Sequence, residues 1–411
     1  MTSHKALIIS FYFPPANTPA TVHADWFFSF VPEHGVATSA IASSVYFPMK
    51  VDREAPSDDI IRVPITRTEG FWRRLYREEL RIQGKCGVWE PGFLWSELAF
   101  RAASRRHRRE RFTAMVSVSP PVTSHWAAYR LKRRFPYLKW IADFQDPLLG
   151  NPFRLGGPTV RSLERRLERA IFVNADCVSA NTDTVQAMWQ ERYPELRDKF
   201  ILTWGGYDPR ETIAARPLPE RCKPVISHVG VMYQQRVPNL LFDSLGRLRK
   251  RGKLGDSDLV VELVGSGDLT GVNNREQFEW LQTEGIVSVR SDHISRAKAL
   301  ATSAEADYLL LLDLSGTHHT KLQVPSKLFD YVRIGRPILA FTPHDSPTER
   351  ILTRSGAPCV VIHSEAPPEE VDAGILRLLT LPRTPQPPSP WFLQTFDARQ
   401  LVKPVADLIR A

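Results

Sequence analysis

Lys327 and Asp330 stand three residues apart, so a helix would carry both on one face. That helix is legible around them. Leu328, Phe329, Tyr331 and Val332 recur at helical spacing, Ser326 suits the N-cap, Gly335 suits the position after the last turn, and Pro337 follows. A cation in a first turn opposes the macrodipole by roughly 0.3–1 kcal/mol. Beside free backbone N–H groups it also adds positive potential, an arrangement that suits a bound phosphate. Asp330 can accept hydrogen bonds from sugar hydroxyls. The plain alternative is a Lys327–Asp330 surface ion pair. Asp143 and Asp146 close the apolar run 138–144, at a strand's carboxyl end, where they are well placed for a cleft or where both only cap a turn. His318 and His319 lie in the polar loop 315–320. They fit hydrogen-bond donors rather than metal ligands, because no H-x-x-x-H or H-E-x-x-H spacing accompanies them. Asp256-Ser257-Asp258 has D-x-D spacing, but it follows Gly255 and precedes a strand, so it reads as a surface turn. No G-x-S-x-G supports a serine hydrolase.

The elements that must hold these residues alternate between short apolar runs and helical periodicity. A buried strand over 308–312 leads through the polar loop to the Lys327 helix and a strand over 337–341. This is one unit of an α/β sheet, and in such sheets the ligand crevice lies outside the carboxyl ends of the strands. Residues 6–12 form a first strand, with the loop 14–21 (PPANTPAT) after it, a helix over 22–31 and a strand around 36–42; no G-x-G-x-x-G marks this βαβ opening. Further strands are expected at 114–119, 138–144, 174–181 and 199–203, with helices over 125–135 and 182–189. Residues 209–222, rich in Pro and Arg, form a linker. A second series opens with a strand over 225–229 that ends at Gly230, then a strand over 259–264 that ends at Gly265, Ser266 and Gly267. A strand over 360–363, a helix over 367–380, a proline-rich stretch over 381–390 and a last helix over 399–409 complete the chain. The fold class is α/β with two domains, 1–208 and 223–385.

The segment PSKLFDYVRIGRPILAF, 325–341, resembles the donor site of GT-B glycosyltransferases of the family-4-like group (glycosyl transferases group 1), with the form P-x-K-x-x-E-Y-x-x-x-G-x-P-[IV]-[IL]. FYFPPA, 11–16, is similar to that group's first strand and loop, and SPPVTSH…WIADFQDP, 119–147, to its S-x-P-x-x-x-H…W-x-x-D-F-R-D-P pattern. The resemblance implies two Rossmann-like domains facing each other across a cleft, with the nucleotide-sugar donor on 223–385, the acceptor on 1–208, and a tail, 386–411, whose helix returns to the first domain. It gives Asp330 the donor ribose, with Asp where Glu is usual, and Arg236, six residues after Gly230, the diphosphate. Ser326 and Lys327 would join that site, the Gly265 turn would lie near the base, and the loop carrying Pro15 and Asn17 would approach donor phosphate or acceptor. Asp143 and Asp146 would be the catalytic carboxylates, unless the donor's own phosphate oxygen takes the proton. Leu322 replaces a second Glu, which leaves the sugar to the loop 316–323; Val231 replaces an Arg after Gly230, and Gln145 replaces another. The chemistry implied is metal-independent transfer, without a cofactor and with retention, from a nucleotide sugar to a sugar, lipid-linked or small-molecule acceptor in cell-surface polysaccharide biosynthesis. A GT-B epimerase or phosphorylase is the alternative within the fold. A nucleotide-sugar-binding assembly protein with little turnover is the alternative outside enzymology.

Composition agrees with a protein of this kind. The 411 residues exceed one comfortable core, and 43% are hydrophobic. Four scattered cysteines with no C-x-x-C indicate neither zinc nor a disulfide framework and point to a reducing cytoplasm. No apolar run reaches the roughly 18 residues that a membrane span needs, and the N-terminal run meets Pro14-Pro15 rather than a cleavage site. Residues 62–111 hold thirteen Lys and Arg against six Glu, most of the formal net charge of +9. There, aromatic clusters at 71–81 and 93–111 lie beside arginines. Such a segment can rest on an anionic membrane surface, the inner face for a cytoplasmic protein, at about 1 kcal/mol per cation. The plainer reading, which ranks ahead of it, is an ordinary helix with aromatics in the core and arginines in water. No recognised module suggests nucleic acid.

Overall fold

The computed structural model describes residues 4–16, 18–44, 59–64, 78, 81, 92–151, 154, 156–213, 218–230, 232, 236–255, 258–265, 269–291, 294–313 and 321–411. They form two units, one of Met1–Asp208 with Asp397–Ala411 and one of Pro209–Phe396.

In the first unit the order is β1 (Lys5–Ser10), α1 (Val22–Phe30), β2 (Ala37–Ser43), β3 (Ile60–Val63), α2 (Phe93–Glu110), β4 (Ala114–Ser119), α3 (Thr123–Arg134), β5 (Lys139–Phe144), α4 (Pro158–Asn174), β6 (Cys177–Ala180), α5 (Asp183–Arg192) and β7 (Phe200–Leu202). The described strands make one parallel sheet in the order β3-β2-β1-β4-β5-β6-β7. Ala6 is paired with Thr38 on one side and Ala114 on the other. Helices cover both faces of such a sheet, which is why its strands read as unbroken apolar runs rather than alternating ones.

The second unit continues with β8 (Val225–Val229), α6 (Asn239–Lys250), β9 (Val260–Val264), α7 (Arg275–Thr283), β10 (Val287–Arg290), α8 (Arg296–Ala304), β11 (Tyr308–Leu312), α9 (Lys327–Ile334), β12 (Ile338–Thr342), α10 (Pro347–Arg354), β13 (Cys359–His363), α11 (Pro368–Thr380) and α12 (Pro390–Thr395). Its parallel sheet runs β10-β9-β8-β11-β12-β13. Ile226, Leu263, Leu310 and Leu339 from the sheet pack with Leu241 and Leu245 of α6 and with Ile375 of α11. In both sheets the order reverses once, between β1 and β4 and between β8 and β11, and these reversals are where open α/β sheets take ligands.

The last helix, α13 (Ala398–Arg410), belongs to the first unit. Leu401, Val402, Val405 and Ala406 are buried with Ala24, Phe27 and Phe30 of α1. The return begins at Asp397, whereas the sequence reading starts the tail at 386. The difference has a cause in hydrogen bonding and packing. Gln386 N–H donates to Gly335 O and Ser389 N–H to Ser355 O, while Phe396 packs 5.2 Å from Phe329, so the proline-rich stretch and α12 stay with the second unit.

Of the basic-aromatic segment, Phe71, Trp72, Arg73, Arg74 and Arg77 lie outside the described residues. In α2 the indole of Trp95 is fully buried and Arg101, Arg105, Arg108 and Arg109 are exposed, as in an ordinary surface helix; Phe93 is 42% exposed. Among the described residues no helix is long and apolar enough to cross a membrane.

Candidate functional site

In the second unit, Gly230 ends β8 and Lys327 begins α9, so both flank the reversal between β8 and β11. Gly230 has φ +136°, a backbone state that side chains rarely adopt. A Cβ there would lie 2.5 Å from Lys327 Cε and Nζ. The glycine therefore leaves the space in which the lysine lies across the strand end. Burial, with the nearby charge of Arg236 second, pushes the Lys327 ammonium down to about 8; Asp330 opposes this. Arg236 is half-buried. His228, one residue before the end of β8, bonds Leu310 O through Nδ1, so its Nε2 carries a lone pair, and that atom is buried without a partner. Burial and the Lys327 charge push it down to about 3, which keeps the imidazole neutral. Two cations and a neutral imidazole thus surround the end of β8. The α9 N-terminus adds to them.

Ser326 departs from the expected cap. It is exposed, its own backbone is helical (φ −56°, ψ −28°), and its hydroxyl makes no cap bond. A side chain cannot fold back onto the N2 or N3 amide from that backbone state. In place of the hydroxyl, Pro325 O and Ser326 O accept from the Leu328 and Phe329 N–H groups of α9 at 2.9 and 3.3 Å, which leaves the positive end of the helix dipole beside Lys327. At the end of β11, Asp313 is buried and accepts from Thr342 Oγ1 at 2.9 Å; burial raises it to about 6. Gly265 ends β9 with φ +77°, and its N–H donates to Arg290 O. Leu322, at the second acidic position of the resemblance, is buried.

Asp330 is 6% exposed, and both of its oxygens accept from one guanidinium. Arg296 Nη1 lies 2.6 Å from Oδ2 and Nη2 lies 2.7 Å from Oδ1. The same guanidinium reaches Glu211, with Nη2 2.9 Å from Oε2 and Nε 3.4 Å from Oε1. Glu211 is fixed in turn, since Arg333 Nη2 donates to its carbonyl at 2.6 Å. The lone Lys327–Asp330 ion pair considered from spacing is replaced by this Asp330–Arg296–Glu211 bridge.

In the first unit, Asp143 is fully buried next to the end of β5. His23 Nδ1 lies 2.9 Å from Oδ2, and Ser179 Oγ donates to Oδ1 at 2.8 Å. A carboxylate only accepts, so His23 Nδ1 is the donor in this pair. With no exposed surface, the Asp143 carboxylate is taken up by His23 and Ser179. His23 stacks on Trp26 at 5.3 Å, in the first turn of α1. The loop before it is tied down: Gln145 Nε2 donates to Ala20 O, and Arg62 donates to Pro14 O. Pro15 follows a cis bond, and it and Asp146 are half-buried. Asn17, His318 and His319 lie outside the described residues.

Sequence reasoning brought Gly230, Lys327 and Arg236 together through motif spacing. It missed His23, His228, Glu211 and Arg296. For His23 a signal existed, since a histidine just after the first strand's loop belongs to the carboxyl edge of the sheet. For Arg296 nothing local distinguishes it from the chain's other arginines. Among the described residues no group of three or more His, Cys, Asp and Glu is placed to hold a metal ion.

No protein-family model and no curated protein matches the chain. Solved structures do. Sucrose-phosphate synthase from Thermosynechococcus elongatus is similar over 99% of this chain and 94% of its own, at 14% identity and a TM-score of 0.63. The lipopolysaccharide outer core galactosyltransferase WaaB is similar over 99% of this chain and 100% of its own, at 14% identity and a TM-score of 0.61. HepE of Anabaena, solved with UDP-glucose, is similar over 99% of each chain at 10% identity and a TM-score of 0.55. The chain has the GT-B fold. Both GT-B units, each Rossmann-like, place their candidate residues at the carboxyl ends of parallel strands.

Proposed function

We propose that the chain transfers a glycosyl group from a nucleotide sugar to an acceptor hydroxyl without a metal ion. The observation that carries this reading is the pairing of Lys327 with Arg236 at the Gly230 strand end, beside the α9 N-terminus. A nucleoside diphosphate leaves with growing negative charge, and fixed cations with the positive end of a helix beside that charge lower the barrier. Crowding two cations in a partly dry site costs stability in the free protein and is repaid when a polyanion binds. The base lies toward Gly265 and the ribose toward Asp330 in this reading. The acceptor belongs to the first unit, where His23, held by Asp143, offers Nε2 to a hydroxyl. Sugar, lipid-linked and small-molecule acceptors in cell-surface polysaccharide biosynthesis are the classes to test. Retention at the anomeric carbon, as the resemblance implies, leaves the acceptor's proton to a donor phosphate oxygen. The bound UDP-glucose of HepE supports a nucleotide sugar as the donor class.

The deciding experiment is thermal unfolding with UDP, GDP, dTDP, ADP and CMP in turn, without metal, for the wild type and Lys327→Met. A nucleotide at about 100 times its Kd stabilises by roughly 2.7 kcal/mol, several degrees for units of this size. One nucleotide shifting the wild type but not the variant is the expected result. No shift with any nucleotide refutes the reading. Attachment to an anionic membrane belongs to the same proposal through the outer face of α2. Arg101, Arg105, Arg108 and Arg109 there predict salt-sensitive sedimentation with anionic vesicles, lost when all four become Ala.

A further inference from the structure

Asp330 cannot be reached by a ribose while Arg296 lies over it. The carboxylate is 6% exposed, the Arg296 side chain 39%, and the pair is bidentate at 2.6 and 2.7 Å. Forked charged pairs of this kind hold geometry as well as energy. Yet Arg296 has a second partner of the same kind. Glu211 sits on the adjacent Nε/Nη2 edge of the guanidinium, its backbone pinned by Arg333 of α9, and takes bonds from Nη2 and Nε. Arg296 can therefore release Asp330 without leaving its charge unpaired. The three residues come from separate places: Glu211 soon after the unit boundary, Arg296 at the start of α8, and Asp330 in the first turn of α9. All three lie in one unit.

We propose that Arg296 sets the donor's ribose recognition by competing with the sugar diol for Asp330, and that Glu211 is the carboxylate that takes Arg296 when the diol binds. This rests on the nucleotide-sugar reading above. In the free protein Arg296 bridges both carboxylates. In the complex the 2′- and 3′-hydroxyls donate to Asp330 and the guanidinium pairs with Glu211 alone. Ribose binding is then opposed by one charged bidentate contact. A sugar diol without the diphosphate that Lys327 and Arg236 hold gains too little to displace it, so the nucleotide is discriminated from sugar alone.

The proposal gives Arg296 and Glu211 opposite signs, which a scaffold role or a direct nucleotide contact would not. The experiment is titration calorimetry of the wild type, Arg296→Met, Arg296→Lys, Glu211→Gln and Asp330→Asn. The ligands are the nucleoside diphosphate identified by the thermal screen and its 2′,3′-dideoxy analogue. The quantity read is the diol preference, the ratio of the two dissociation constants, in which the lost charge of a variant cancels. Arg296→Met is expected to raise that preference about tenfold, the size of one charged hydrogen bond. Arg296→Lys, which keeps the charge but cannot fork onto both carboxylates, is expected to raise it less. Glu211→Gln is expected to lower it, because Arg296 then has only Asp330. Asp330→Asn is expected to bring it near one. A preference unchanged in both Arg296 variants, or moved the same way by Arg296→Met and Glu211→Gln, overturns the proposal. If no nucleoside diphosphate binds the wild type, the nucleotide-sugar reading itself falls, and this inference with it.

Discussion

Lys327 is the residue at which binding and stability oppose each other. Its ammonium is pushed down to about 8 by burial and by Arg236, so the free protein is less stable with it charged than with it neutral. The sign follows from proton counts. Between about 8 and the ordinary value near 10.5 the unfolded chain binds more protons at this position than the folded one, so this group makes stability rise with pH across that window. Lys327→Met should therefore raise the Tm of the unliganded protein by about 1 kcal/mol, or ~2–4 °C, a figure discounted for partial exposure. The same variant should lose the nucleotide-induced shift. Nucleotide affinity of the wild type should fall as pH rises through about 8, because the charged lysine is the form that a diphosphate selects, whereas the Lys327→Met affinity should be flat there. Calorimetric titration from pH 6.5 to 9.5 reads both slopes. Arg296 predicts the reverse balance. Removing it leaves Asp330 and Glu211 close together with no shared cation, and Arg296→Met should destabilise by about 2 kcal/mol in urea unfolding. The double variant Arg296→Met/Glu211→Gln should recover part of that loss, which a double-mutant cycle measures.

At the scale of elements, the donor site is made by two ends that meet, the carboxyl end of β8 and the amino end of α9. Tyr331 fixes the pair: its hydroxyl accepts from Val229 N–H at 3.4 Å while its ring is buried. Gly230→Ala tests the meeting point. Its φ of +136° and the 2.5 Å approach to Lys327 mean that a methyl strains the backbone and displaces the lysine. The expected cost is about 1–2 kcal/mol of stability together with most of the nucleotide-induced shift. Loss of stability with binding retained would show that Lys327 can hold phosphate from another rotamer. The helices also show why some elements were hard to read. In α4 the inward face carries Glu164 and Glu168, with Glu168 fully buried and bonded to Leu149 N–H and Tyr193 Oη, while Leu163 points to solvent. Its apolar pattern is inverted in part, so periodicity does not reveal which side packs. In α9, by contrast, Leu328, Phe329, Tyr331 and Val332 are all buried, and periodicity and packing agree.

For the whole molecule, the return of α13 to the first unit means that this unit's core is closed by the last residues of the chain. Val402 is fully buried there. Val402→Asp would bury a charge without a partner and should cost several kcal/mol. Scanning calorimetry with and without nucleotide locates the damage. The transition that nucleotide does not shift should move down, and the one that it does shift should stay. Loss of both would show that the second unit does not hold its fold without the first.

Much of this protein is set by local sequence. Buried parallel strands must be short apolar runs, a glycine must stand where φ is positive, and a lysine that opens a helix after a strand must lie at the sheet's carboxyl edge. Those rules place β1, β5, β8, β11, α9, Gly230 and Lys327 from the residues alone. Partners across the sheet are not local. Asp330 meets Arg296 because α8 packs on β8 and so comes beside α9, which follows β11, and that placement is fixed only when β11 pairs with β8. Asp143 became a buried support for His23 because β5 and β6 close around it in the first sheet. Spacing decides what a residue can do, and strand order decides which charge it meets.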